Sequence, residues 1–251
     1  KFLAQSLFMT LSSEIGVMPV IIYYFNILSF VSVIANLIFV PLAGVLVIGG
    51  FLTIFLSFIP GVGMIIGRIV KFICMIMIRG SKFLAALSMS FTYAVSPSII
   101  FIICYYILVW IFSTEGRKYF TKPYKYAAIA AAIMIFSLVI PHFDNSLKVV
   151  FVDVGQGDCI YIKTPDRKNI LIDAGGTLMG DFDTGEKIVL PFLLKNGVSS
   201  LDMFIMSHAH DDHIGGAKAV MEALPVKNFM YFPSKEQDDI DNFYLIRKKK
   251  I

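Results

Sequence analysis

The sequence predicts two unlike parts: a multi-span α-helical membrane region, then an α/β layered domain. Three observations predict this. Residues 15–67, 83–114 and 126–143 carry no Asp, Glu, Lys or Arg. From Lys148 onward lie 13 of the 22 basic and 15 of the 18 acidic side chains. In that charged part, short β-branched runs alternate with glycine turns and helical spacings. A bilayer crossing needs roughly 20 mostly apolar residues, and a buried soluble helix rarely needs so long a charge-free run. A chain that is 57% hydrophobic and 16% charged is also charge-poor for a soluble protein. The net charge of +4 hides two opposite balances, a basic membrane part and a slightly acidic tail. The expected division is a membrane domain over 1–141, a linker over 142–147 and a soluble domain over 148–251. The chain is expected to be a piece of a longer protein, opening on Lys1 and closing on "RKKKI".

Taken in order, residues 17–67 are too long for one span and read as two, with Pro41 and Pro60 as bends or ends. Asn26 and Asn36 fall in this run, and a buried amide needs a partner on another helix or a wet path. Residues 67–83 set Arg68, Lys71, Arg79 and Lys82 around a short apolar centre, the pattern of an amphipathic helix at a membrane interface. Residues 97–113 read as a strong span, with Trp110 as an interfacial aromatic. Residues 126–140 read as another span, ended by Pro141. Arg117, Lys118, Lys122 and Lys125 outnumber Glu115 in the loop between these two, which places that loop in the cytoplasm and the tail outside. The basic residues at 68–82 conflict with this count unless residues 67–96 hold a further crossing.

The tail opens with "KVVFVDV" (148–154), a strand by its alternation. "GQG" turns the chain into "DCIYIKT" (158–164), and "ILIDAGG" (170–176) makes a third strand. "EKIVLPFLLKNG" (186–197) has helical spacing and a glycine stop, disturbed by Pro191. "DMFIMSH" (202–208), a helix over 215–224 and a last strand over 226–232 complete the layered α/β pattern. Cys74, Cys104 and Cys159 are scattered and give neither a disulfide framework nor a thiolate site.

"SHAHDDHIGG" (207–216) holds three of the four histidines. Imidazole and carboxylate at close spacing are good ligands for a borderline metal. His208 and His210 are two apart and share a face if the strand continues, whereas Asp212 and His213 point elsewhere and suit a second ion. Two such ions polarise an oxygen and lower the pKa of a shared water. The expected metal ligands are therefore His208, His210, Asp212 and His213, with Asp212 also catalytic. Asp153, Gln156, Asp158 and Asp173 are expected to shape the site or orient its ligands, with turn capping as the alternative. Asp211 and the acidic run at Asp238, Asp239 and Asp241 read as solvated, and His142 as interfacial. Four ligands do not fill two sites, so this chain is expected to bind metal weakly unless ligands follow Ile251. Lys163, Arg167 and Lys168 form a small patch suited to phosphate contacts.

"VVFVDVGQGDCIYIKTPDRKNILIDAGG" followed by "SHAHDDHIGG" resembles the metallo-β-lactamase-like domain of the ComEC family of bacterial DNA-uptake channels. "GVMPVIIYYFNILSFVSVIANLIFVPLAG" is similar to that family's competence membrane domain. The resemblance implies a multi-pass cell-membrane protein ending in the first portion of an αββα sandwich. It further implies that the membrane part conducts single-stranded DNA. The extracytoplasmic domain would degrade the other strand with two divalent ions, Zn or Mn. The implied partners are single-stranded DNA, the lipid bilayer and other uptake-machinery proteins. The residues themselves leave two alternatives open. One is a membrane-tethered metal-dependent hydrolase of another phosphodiester or acyl substrate. The other is a non-catalytic transport protein with a vestigial metal domain.

Overall fold

The computed structural model describes residues 2–59, 61–87, 89–139, 144–155, 157–176, 182–207, 213 and 215–231. It divides into two compact units, residues 1–21 with 27–93, and residues 22–26 with 94–251.

The first unit is mostly helical. It contains α1 (Phe2–Phe25) up to residue 21, β1 (Ile27–Ser29), α2 (Ser32–Phe55), α3 (Val62–Ala85) and β2 (Phe91–Tyr93). By length and composition, α1 and α2 can each cross a membrane. At 1.5 Å per residue, 24 residues reach about 36 Å, against roughly 30 Å of hydrocarbon. No residue of α2 is buried. Pro41 lies inside α2 rather than ending it; one lost backbone hydrogen bond is tolerated in a long apolar helix. Pro60 lies outside the described residues. The Asn36 amide donates to Glu14 Oε1 at 3.0 Å, so it finds the interhelical partner its chemistry requires. β1 pairs antiparallel with β2.

Asn26 ends α1 with φ 56, a left-handed conformation that Asn tolerates. Its amide donates to the Ala94 carbonyl at 3.0 Å and to Ser96 Oγ at 2.7 Å.

The second unit begins with α4 (Ile99–Phe112), a helical turn at Gly116–Lys118 and α5 (Pro123–Val139). The spans expected at 97–113 and 126–140 are therefore helices of 14 and 17 residues. They reach about 21 and 26 Å, short of a perpendicular crossing. Capping sets the length of α4: Ser98 Oγ accepts from the Phe101 amide at its start, and Ser113 is extended at its end. The helical part thus holds two long apolar helices, α1 and α2, and the shorter apolar helices α4 and α5.

A five-stranded mixed sheet follows: β3 (Lys148–Phe151), β4 (Ile160–Lys163), β5 (Asn169–Ile172), β6 (Leu201–Met206) and β7 (Val226–Tyr231), in that spatial order. β3, β4 and β5 are antiparallel neighbours, while β5, β6 and β7 run parallel. The change follows from the connections. The turn between β3 and β4 uses Gly155 at φ 82. The β5–β6 connection instead passes through a widened helical turn (Gly185–Val189) and α6 (Leu190–Lys195). The β6–β7 connection passes through α7 (Ala217–Ala223). Parallel neighbours need such crossovers. Leu171, Leu193, Leu201, Phe204 and Val220 are fully buried, each contributing on the order of 1.5–3 kcal/mol by its burial.

Asp202 ties three strands together. It accepts from the Asn169 amide on β5 at 2.9 Å and from Lys227 Nζ on β7 at 2.7 Å. The Lys227 hydrogen bond, then the Asn169 one, hold its carboxyl below the usual range. A depressed carboxyl contributes stability above its unfolded value, about 3.9. That contribution is lost as pH falls through the folded value. Asp202→Asn should therefore cost about 1–2 kcal/mol at neutral pH. The gap from the parent should close in strong acid, as read by urea denaturation with circular dichroism.

Candidate functional site

Three segments converge at the C-terminal ends of β5 and β6. β5 delivers Asp173 one residue past its end, at φ 54 and 3% exposed. Its amide still donates to Ile205 O at 2.9 Å, continuing the parallel ladder. The left-handed backbone then turns the carboxylate across β6. Oδ1 accepts from the Ser207 amide at 2.8 Å, and Oδ2 accepts from Ser207 Oγ at 2.6 Å. His213 Nδ1 lies 3.0 Å from the same Oδ2, and the imidazole is buried. A carboxylate on Nδ1 fixes the proton there in the neutral ring and leaves the lone pair on Nε2. That is the form in which an imidazole acts as a base or electron-pair donor.

The backbone around this trio is tightly sewn. Ala174 N donates to His213 O at 2.9 Å, Gly175 N to Asp158 O at 2.9 Å, and Gly216 N to Gly175 O at 3.0 Å. Thr184, 1% exposed, donates its hydroxyl to Ala174 O at 3.3 Å. Gly216 is in backbone contact with two strangers: a Cβ there would sit 2.5 Å from Ala174 O and 2.5 Å from Gly185 N. Cys159 is buried nearby; burial, then the Asp173 charge, push its thiol up to about 12. It is a neutral packing group.

The expected site residues fall as follows. Asp173 and His213 are brought together, and Asp173 orients the imidazole. Asp153 is exposed and caps the glycine turn, accepting from the Gly155 amide at 3.1 Å. Asp158 is exposed and reaches the site through its backbone carbonyl. Arg167 Nε donates to Asn145 Oδ1 at 3.1 Å, and Lys168 Nζ pairs with Asp166 at 2.9 Å. Lys163 ends β4. His208, His210, Asp212 and Gln156 lie outside the described residues, as do His142, Asp211, Asp238, Asp239 and Asp241.

The expectation of two divalent ions, Zn or Mn, is corrected. Among the described residues, no group of three or more His, Cys, Asp or Glu side chains could hold a metal ion. The physical reason is plain in the geometry. His213 is the one expected ligand among the described residues; Asp173 engages its Nδ1 and leaves Nε2 as the electron-pair donor, Ser207 takes the rest of that carboxylate, and Cys159 is a neutral thiol, so fewer than three donors come together there. The described residues do not fit the ions, and no chemical step follows through them.

Sequence reading missed Ser207 and Thr184. A serine directly before a histidine motif carries no spacing signal; only the tertiary contact with Asp173 reveals it.

Comparison with known proteins bears on both parts. Residues 1–118 match the competence protein family, and residues 152–231 match the metallo-β-lactamase superfamily. ComE operon protein 3 of Bacillus subtilis (strain 168) is 27% identical over 267 residues, covering 94% of this chain and 33% of that protein. The chain has the two-domain ComEC-type architecture. Recombination protein 2 of Haemophilus influenzae is 38% identical over 73 residues, covering 29% of this chain and 9% of its own length. This ComEC-type chain thus spans about a third or less of the curated relatives it matches. No solved structure gives a significant match. The superfamily match of the ComEC-type chain runs from the end of β3 to the end of β7. It includes Cys159, Asp173, Ser207 and His213, and is consistent with hydrolase activity in general.

Proposed function

We propose that this chain serves in DNA uptake. In this reading the N-terminal part is embedded in the cell membrane with several passes and conducts one strand of DNA. The C-terminal domain lies outside and hydrolyses the other strand. The observation that supports it is the joining, in one chain, of a competence-family part with two membrane-length helices to a hydrolase-superfamily domain. His208, His210, Asp212 and His213 form the proposed hydrolytic site, with Asp212 as the catalytic carboxylate. Asp173 positions His213, while Asp153, Gln156 and Asp158 shape the approach. Lys163, Arg167 and Lys168 are the proposed phosphate contacts. Single-stranded DNA, the bilayer and other uptake proteins are the proposed partners.

The test separates the two halves of the reading. In a transformable host whose own uptake channel is deleted, the protein carrying this chain should restore nuclease-protected internal DNA label. It should also restore acid-soluble label in the medium. Asp212→Asn should lower the acid-soluble release about 100-fold or more, the usual scale for a positioned acid or base, and leave internal label in place. Unchanged release would overturn the assigned hydrolysis; no internal label with correctly inserted protein would overturn the conduit.

A further inference from the structure

α3 runs antiparallel along α2. Phe39 lies against Gly80, Val70 against Gly49 and Thr53 against Gly67, a register kept along both helices. α2 is 24 residues long and carries no charged residue, so its midpoint, between residues 43 and 44, belongs at the bilayer centre. The register brings residues 75 and 76 of α3 to that level. α3 therefore crosses wherever α2 crosses, and the interfacial placement expected for residues 67–83 gives way to a crossing.

This crossing helix carries four cations. At 1.5 Å per residue, Arg68, Lys71, Arg79 and Lys82 stand about 12, 7, 5 and 9 Å from the common level, inside the roughly 15 Å half-thickness of the hydrocarbon. At 100° per residue they share an arc of about 80°, on the side of α3 turned away from α2. All four are exposed. α3 contains no Asp or Glu. Among the described residues, no ion pair joins any of the four to a carboxylate. Glu14 is the only acidic residue from Lys1 to Tyr93, and its carboxylate accepts from Asn36.

Cations that deep in a bilayer do not face lipid. They face a bundle interior or a water-filled path, and mark the route of an ion or substrate. This stretch of chain supplies no counter-charge for them, so their complement is an anion that comes from elsewhere. The rest of the face says which kind. Phe72 and Phe83, 59% and 67% exposed, border the arc within about 40°. A basic track beside aromatic rings is how proteins hold single-stranded nucleic acid without regard to sequence, with phosphates on the cations and bases on the rings. The track from Arg68 to Lys82 is about 21 Å long, enough to meet several phosphates in turn. A small inorganic anion would use one pair of cations and neither ring.

We infer that α3 lines the conduit, with Arg68, Lys71, Arg79 and Lys82 holding the phosphates of the passing DNA strand and Phe72 and Phe83 meeting its bases. The inference rests on the proposed conduit and on the embedding of α2.

The deleted-channel host tests it with the whole protein that carries this chain. Changing Arg68, Lys71, Arg79 and Lys82 together to glutamine should lower nuclease-protected internal label about tenfold or more, the scale expected when several charged hydrogen bonds are lost. Removing charge eases insertion, so the variant should still reach the membrane; label equal to the parent's overturns the inference. Thiol labelling reads the face directly. The protein's cysteines, Cys74, Cys104 and Cys159 among them, are first changed to alanine. Met75→Cys then lies within the basic arc, and Val47→Cys on the side of α2 turned away from α3. In membrane vesicles a charged, water-soluble thiol reagent should modify Met75→Cys and spare Val47→Cys. Single-stranded oligothymidine should slow the Met75→Cys reaction, and added salt should undo that protection. An inert Met75→Cys means a face sealed by protein or lipid and overturns the inference. So does a reaction that oligothymidine leaves unchanged, or one that inorganic phosphate slows equally. Modification of Val47→Cys would put α2 in water and remove the depth on which the inference stands. If the parent restores no internal label, the conduit itself fails; if parent and glutamine variant restore it equally, the inference fails alone.

Discussion

Asp173→Ala should unfold the sheet domain or bring it to the edge of unfolding. The substitution removes the acceptor for the Ser207 amide, the Ser207 hydroxyl and the His213 ring at once. Hydrogen bonds to a charged group contribute about 1.5–3 kcal/mol each, and alanine at φ 54 adds about 1–2 kcal/mol of backbone strain. The sum, about 5 kcal/mol or more, is comparable with the whole stability of an ordinary domain. Asp173→Asn separates the causes, because asparagine tolerates the left-handed backbone and keeps an acceptor but not the charge. It should cost roughly half as much. Ser207→Ala, losing one hydroxyl contact, should cost about 1 kcal/mol. Amide hydrogen exchange on the full chain reads all three. The Ser207, Ala174 and Gly216 amides should lose protection in the order Ala, Asn, then the serine variant. Equal protection in Asp173→Ala and the parent would show that the carboxylate does not hold the strand ends.

Gly216→Ala is the second large effect. The new Cβ would meet Ala174 O, Gly185 N and Gly185 Cα within 2.5–2.8 Å, all of them backbone. Backbone cannot rotate aside as a side-chain tip does, so α7 or the crossover must shift, at a cost of about 3 kcal/mol or more. Gly155→Ala is the matched control. Gly155 sits at φ 82 with nothing within 4 Å of a Cβ, so only the conformational penalty of about 1–2 kcal/mol applies. Thermal unfolding of the two variants in the same detergent should differ accordingly; equal midpoints would show that the Gly216 contact has room to relax.

The strands of the tail were legible because their information is local. Alternation in "KVVF" and "IYIK" and glycine at 155 and 175 mark strands and turns without reference to the rest of the chain. Asp173 was marked by its place at the end of a strand before a glycine turn, which left its role open between orienting a ligand and capping the turn. What escaped reading depends on distance in sequence. Ser207 meets Asp173 across 34 residues and Asn169 meets Asp202 across 33, and neither residue type at those spacings advertises a partner. Helix length escaped for a different reason. Apolar composition reads the same in a 14-residue helix as in a 24-residue one, and it is Ser98 and Ser113 that stop α4. The ions expected from the histidine motif find no cluster of ligands among the described residues, of which only His213 belongs to the expected set.

Ser207 and His213 are both fastened to a single carboxylate, and His213 is fastened a second time through its carbonyl. The chain on either side of the histidine motif is therefore anchored to the end of one strand. A change at 173, 207 or 213 removes one of those anchors and loosens the ends of two parallel strands together.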